Sequence, residues 1–174
     1  GNVTLGTNAT VRGNTVALLG DVALSPGSRI HGNAVTIGGR VDRPDTATVD
    51  GGGMQNFANS NSTLTNVTFE GNSSGGLGGG LYNQNSLLTL TTVTFHLNTA
   101  VTSGGGFYST TSNPDLTGVT FSNNSATNGG GRYAVTGDVD LSTTDFTGNT
   151  ATNKGGGLYS SSSPGSVLTN VTFT

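Results

Sequence analysis

The chain contains no cysteine and no tryptophan, and only 9% of its 174 residues are charged. Without cysteine there are no disulfides of the kind a small secreted domain depends on, which leaves the redox compartment open. Six basic residues (Arg12, Arg29, Arg40, Arg43, Arg132, Lys154) face nine acidic ones. That balance forms no basic stripe to neutralise phosphates, so nucleic acid is not an expected partner. No run of about 18 apolar residues occurs, so no transmembrane helix is expected. His31 and His96 stand alone without partners at metal-ligand spacing, and no metal or cofactor is expected. The first residue is Gly1, with neither an initiator Met nor a signal-like segment, the pattern of a processed or excised chain.

What the chain has instead is glycine, 30 residues of it, and repetition. The phrases Val67-Thr68-Phe69, Val93-Thr94-Phe95, Val119-Thr120-Phe121 and Val171-Thr172-Phe173, with a degraded copy at Thr144-Asp145-Phe146, recur in steps of 26, 26, 25 and 27 residues. That period is one coil of a β-solenoid, in which each coil buries its apolar face against the coils above and below. Residues 1–57 follow a shorter rhythm of 19, aligning Val3 with Val22 and Val41, and Val11 with Ile30 and Val49. Short alternating apolar bursts separated by Gly, Asn, Pro and Ser predict three strands per short coil. Gly13, Gly32 and Gly51 share a position in the 19-residue frame, and Gly51 also opens the first of the Gly triplets, which recur at Gly78, Gly104, Gly129 and Gly155. One landmark therefore serves both rhythms. The expected fold is all-β: a single right-handed parallel β-helix over residues 1–174, with 19-residue coils over 1–57 widening to 25 to 27 over 58–174.

Within a long coil, Leu64, Leu90, Leu116, Leu141 and Leu168 lie five residues before the Phe, and the Val three residues later. An odd spacing places Leu and Val on opposite faces of a straight strand, so a corner must lie between them, at Thr65-Asn66, Thr117-Gly118 and Thr169-Asn170. Three residues past each Phe comes an Asn: Asn72, Asn98, Asn124 and Asn149. Stacked at about 4.8 Å, such amides hydrogen-bond into a ladder. The small residues Ser74, Ala100, Ala126 and Ala151 follow. Each Gly triplet then precedes Leu81-Tyr82, Phe107-Tyr108, Arg132-Tyr133 or Leu158-Tyr159. Because Arg132 cannot be buried unpaired at tolerable cost, the Tyr rings are expected to point inward with their hydroxyls at the rim.

The phrase Leu-Thr-x-Val-Thr-Phe-x-x-Asn-(Ser/Thr)-Ala, followed by a Gly triplet, a variable residue and Tyr, resembles the repeats of bacterial polymorphic outer-membrane proteins and related surface adhesins. The resemblance covers about residues 48–174. It implies a right-handed parallel β-helix exposed outside the cell and used for adhesion, display or surface assembly. Residues 1–47 are similar instead to the short coils of bactofilins, which are polymer-forming β-helical proteins.

Chemistry has few candidates. Parallel β-helix lyases and hydrolases gather carboxylates with Arg or Lys in a groove, and here the available groups are Asp115, Asp138, Asp140, Asp145, Arg132 and Lys154. Asp115 and Asp140 share a repeat position, so stacked coils bring them together, either solvated or sharing a calcium ion. Solvation is the preferred reading, and the chain is expected not to be an enzyme. Arg40, Asp42, Arg43 and Asp45 around Pro44 read as a locally paired turn. Asn-x-Ser/Thr triplets at Asn2, Asn8, Asn61, Asn66, Asn72, Asn123 and Asn170 are expected by chance in so Asn- and Thr-rich a chain.

Both termini carry strand pattern, Gly1-Asn2-Val3-Thr4-Leu5 at one end and Leu168 to Thr174 at the other. An open coil presents unpaired backbone and an apolar cross-section. Gly1, Asn2, Val3 and Leu5 are therefore expected to stack on Leu168, Val171, Phe173 and Thr174 of another copy. Phe173-Thr174 followed by Gly1-Asn2 would read Phe-Thr-Gly-Asn, as at Phe146 to Asn149. Such a head-to-tail contact does not close and generates fibres. The leading expectation is thus the subunit of an extracellular or cell-surface filament whose partners are copies of itself, with a host or neighbouring cell surface as a further partner. The alternative is a fragment of a longer surface adhesin or autotransporter-type passenger, and a polysaccharide-active enzyme is third.

Overall fold

The computed structural model describes residues 3–12, 15–18, 22–25, 29–31, 34–37, 41–42, 48–50, 53–57, 60 and 62–174. These residues form strands joined by turns, with no helix among them. Three short coils come first: β1 (Val3–Leu5), β2 (Thr10–Arg12) and β3 (Thr15–Leu18), then β4 (Val22–Leu24), β5 (Arg29–His31) and β6 (Ala34–Ile37), then β7 (Val41–Asp42), β8 (Thr48–Asp50) and β9 (Met54–Phe57). The long coils run β10 (Ser62–Thr65), β11 (Thr68–Glu70), β12 (Ser73–Ser74) and β13 (Leu81–Gln84), then β14 (Leu88–Thr91), β15 (Thr94–His96), β16 (Thr99–Ala100) and β17 (Phe107–Thr110). They continue with β18 (Asp115–Thr117), β19 (Thr120–Ser122), β20 (Ser125–Asn128) and β21 (Arg132–Val135), and end with β22 (Asp140–Thr147), β23 (Thr150–Lys154), β24 (Leu158–Ser161) and β25 (Val167–Phe173). All pairings between them are parallel, the arrangement of a β-solenoid.

The register sets the coil length. Val3 pairs with Val22, Arg29 with Thr48 and Ala34 with Met54, whereas Leu64 pairs with Leu90 and Met54 with Leu81. The third short coil therefore gains one residue at β9, where the 19-residue rhythm predicts none. Widening has a single location. Three residues separate Asp50 from Met54, while ten separate Glu70 from Leu81. Those seven extra residues account for the difference between the 20 residues from Ala34 to Met54 and the 27 from Met54 to Leu81, and they build a fourth face, the sheet β12-β16-β20-β23, which strand periodicity alone leaves invisible. The landmark glycines Gly13, Gly32 and Gly51 lie outside the described residues, as do Gly1, Asn2, Arg40, Arg43, Pro44 and Asp45.

Each long coil turns at four corners, and each corner carries a residue of positive φ. Between Leu and Val these are Asn66, Thr92, Gly118, Thr143 and Asn170, and before the Asn they are Gly71, Leu97, Asn123 and Gly148. The first glycine of the triplet makes the third corner (Gly78, Gly104, Gly129, Gly155), and Asn85, Thr111, Thr136 and Ser162 make the fourth. Left-handed corners turn the chain without breaking the ladder, so Leu64 and Val67 both face inward although three residues apart. In β22 and β25 the strand runs through that corner unbroken and merges two faces into one sheet.

The core is a set of columns. Phe69, Phe95, Phe121, Phe146 and Phe173 stack with ring centroids 5.0, 4.9, 4.7 and 4.8 Å apart and planes within 7° of parallel. Leu64, Leu90, Leu116 and Leu141 form a second column, and Val67, Val93 and Val119 a third, all buried. In the degraded copy Thr144 replaces Val, and its buried hydroxyl donates to the Ser142 carbonyl at 3.2 Å.

Candidate functional site

Three constructions on this scaffold carry polar chemistry. The first is inside, at the Asn corner. Asn98 donates through Nδ2 to Asn124 Oδ1 (2.9 Å) and to the Phe69 carbonyl (2.9 Å). Its own Oδ1 accepts from the Asn72 backbone N–H (3.0 Å) and from Asn72 Nδ2 (2.7 Å). Asn124 repeats the pattern toward Asn149 and the Phe95 carbonyl, and Asn149 Nδ2 reaches the Phe121 carbonyl at 2.8 Å. Asn98 and Asn124 thus each tie three coils together and satisfy backbone groups that the corner would otherwise bury unpaired. Because Asn72 lies fully buried in this ladder, its Asn-x-Ser triplet is closed to glycosylation. A second, shorter ladder was not legible in the repeats: Asn56 donates to Asn83 (2.6 Å), which donates to Ser112 Oγ (3.0 Å), while Ser62 Oγ donates to Asn56 (2.9 Å). It spans the step from short to long coils, where Asn stands at an inward position in β9 and β13 but Ser or Ala does in later coils.

The second construction is the face following the Gly triplet, and here the structure reverses an expectation. Leu81, Phe107 and Arg132 point inward, while Tyr82, Tyr108, Tyr133 and Tyr159 point outward and stay half-buried. The rings form a surface row with centroids 5.2, 5.3 and 4.8 Å apart, capped by Lys154 Nζ at 5.5 Å from the Tyr159 ring. Strand register explains the reversal. Arg132 pairs with Phe107 below and Leu158 above, and a one-residue slip to free its charge would flip every side chain of β21. The column therefore decides, against the local cost of burying charge. Arg132 is 0% exposed, and its Nε, Nη1 and Nη2 meet no acceptor among the described residues; its guanidinium lies 5.1 Å over the Phe107 ring. Burial lowers its pKa to about 9, and the nearby Asp140 charge partly opposes that fall. Burial likewise raises the phenols of Tyr82 and Tyr108, with the neighbouring Tyr82 and Tyr133 adding to the effect at Tyr108.

The third is an outer groove of about 590 Å³ lined by Thr89, Asp115, Thr117, Asp140, Ser142 and Thr169 among others. Asp115 and Asp140 occupy adjacent rungs of β18 and β22. Asp140 Oδ1 accepts from the Val167 N–H (3.1 Å), and Asp138 Oδ1 from the Gly165 N–H (2.8 Å), so the turn between β24 and β25 is pinned as one wall. The other enzymatic candidates do not converge there. Arg132 is in the core, Asp145 pairs in register with Thr120 and Thr172 on the adjoining face, and Lys154 caps the Tyr row. Among the described residues no three His, Cys, Asp or Glu side chains gather as metal ligands. His96 Nδ1 hydrogen-bonds Ser122 Oγ at 2.9 Å.

At the far end of the stack Leu168 is 46% and Phe173 51% exposed, with Val171 partly buried against the core. Val3 and Leu5 lie in the column of β4, and Leu5 is buried.

No curated protein and no solved structure matches the chain. Two windows, residues 66–84 and 143–161, each running from the Leu/Val corner through the Phe, the ladder Asn and the Gly triplet to the Tyr strand, match the model of the Chlamydia polymorphic membrane protein repeat, and in these windows the coils are similar to that repeat.

Proposed function

We propose that this chain is a segment of a surface-exposed adhesin of the autotransporter-passenger type, a coil stack that holds its outer faces outside the cell. The observation that carries the reading is the match of two equivalent windows to a polymorphic membrane protein repeat. The coil itself supports it: internal Asn and Phe ladders make a stiff rod, and the outward columns, such as Thr68, Thr94 and Thr120, are free to vary without disturbing the core. The chain is read as non-catalytic, because of the candidate carboxylates and bases only Asp115 and Asp140 line one groove. Beads coated with the purified chain, incubated with cultured epithelial cells and counted against albumin-coated beads, test the adhesive reading. Binding several-fold above the control supports it, and binding at the control level removes adhesion from the proposal.

The filament reading rests on the exposed Leu168 and Phe173. A stack continued by further coils presents the same face, so the passenger reading accounts for it without a second copy. Negative-stain micrographs of the purified chain at micromolar concentration separate the two. Short dispersed rods fit the passenger, and unbranched filaments several coil-stacks long fit the subunit.

A further inference from the structure

Arg132 is a charge inside the stack of coils with no hydrogen-bond partner among the described residues. Its column holds Leu81, Phe107 and Leu158 in the other long coils, so nothing in the repeat calls for a cation here. The side chain is 0% exposed, one face of the guanidinium lies over the Phe107 ring at 5.1 Å, and its three nitrogens find no acceptor among the described residues. A ring face offers attraction to the positive charge but accepts none of its five N–H groups in good geometry.

Such a group has three ways to be relieved. It can lose its proton, pair with a carboxylate, or take a counter-ion into the core. The first fails at neutral pH: burial brings the pKa down only to about 9, so the charge persists. Asp140 is the carboxylate whose charge acts on Arg132, but it faces the outer groove and accepts from the Val167 N–H, and it forms no hydrogen bond with the guanidinium. The third way remains. We propose that Arg132 holds a small inorganic anion, of chloride size, inside the coil stack. A close-packed interior limits the ion to one or a few atoms, and because an uncompensated buried charge is far more costly than a paired one, a counter-ion recovers part of the desolvation that the bare guanidinium has already lost. The site would stabilise the folded chain by mass action, since the unfolded chain presents an ordinary hydrated arginine.

The test is thermal unfolding of the whole chain followed by tyrosine fluorescence, at fixed ionic strength, with sodium gluconate replaced stepwise by sodium chloride. The wild-type midpoint is expected to rise by about 4 °C with chloride, and the Arg132→Leu and Arg132→Met variants are expected not to respond. Leu is native to this column, so the variants fold, and the readout is anion dependence, whatever their absolute stability. Crystals grown in sodium bromide should show an anomalous peak within hydrogen-bonding distance of the guanidinium. An unresponsive wild type, an equal shift in the variants, or a crystal without that peak overturns the proposal.

Discussion

The amide of Asn98 stands 2.9 Å from Oδ1 of Asn124 and equally far from the carbonyl of Phe69, so one side chain joins the coil above it to the coil below. Replacing it by alanine strands the Asn72 N–H, Asn72 Nδ2 and the Phe69 carbonyl in a buried site. The expected loss is about 3 to 5 kcal/mol, because each orphaned buried group costs its full desolvation. Urea unfolding of Asn98→Ala measures it. A loss under 1 kcal/mol would mean that the ladder is ornamental.

Arg132→Leu should stabilise the chain in halide-free buffer by about 1 to 4 kcal/mol, as apolar replacements of buried charges do. The pH dependence has a definite sign. Burial depresses the folded-state pKa to about 9, well below that of an unfolded arginine, so from pH 9 upward the unfolded chain binds the extra proton and wild-type stability rises with pH. The penalty of the buried charge is fully present below pH 9. Tyr82 and Tyr108, whose phenols are raised, act oppositely above pH 10, where the folded chain keeps protons the unfolded one has lost. Subtracting the Arg132→Leu curve cancels the tyrosines, and the wild-type deficit should shrink from pH 9 upward. A constant difference from pH 7 to 11 would place the guanidinium in water.

Leu97 combines a φ of 54° with 52% exposure, at a corner where the other long coils use Gly71, Asn123 and Gly148. Leu97→Asn should gain about 0.5 to 1 kcal/mol by relieving left-handed strain. Differential scanning calorimetry would register it as a higher midpoint, and an unchanged or lower one would show that the leucine packs usefully.

Gly106 tolerates no side chain. A Cβ there would lie 2.6 Å from the Gly131 carbonyl oxygen, 3.0 Å from Phe121 Cδ1 and 3.2 Å from the Asn124 amide carbon. Gly106→Ala should cost about 1 to 3 kcal/mol through the shift it forces on both ladders. Gly76→Ala is the control, since nothing lies within 4 Å of its Cβ position. Comparable losses in the two variants would contradict this packing.

Much of the coil was legible because stacking makes equivalent residues touch: the Phe, Leu, Val and Asn columns follow from spacing alone. The corner between Leu64 and Val67 was legible from parity. Two features were hidden for physical reasons. The fourth face has strands as short as Ser73–Ser74, too short for any period to register. The inward turn of Arg132 depends on its register with Phe107 and Leu158, a long-range constraint that overrode the local cost of burying a charge. The acidic groove was half legible: Asp115 and Asp140 share a repeat position, but the wall pinned through Gly165 and Val167 is a matter of turn geometry.

The measurement that bears most directly on the account is surface accessibility on intact cells that make this protein. An antibody raised against the outward Tyr82 to Tyr159 face, applied without permeabilisation, is predicted to label the cells, and externally added protease to abolish the label. Labelling that appears only after the envelope is breached would contradict a surface adhesin.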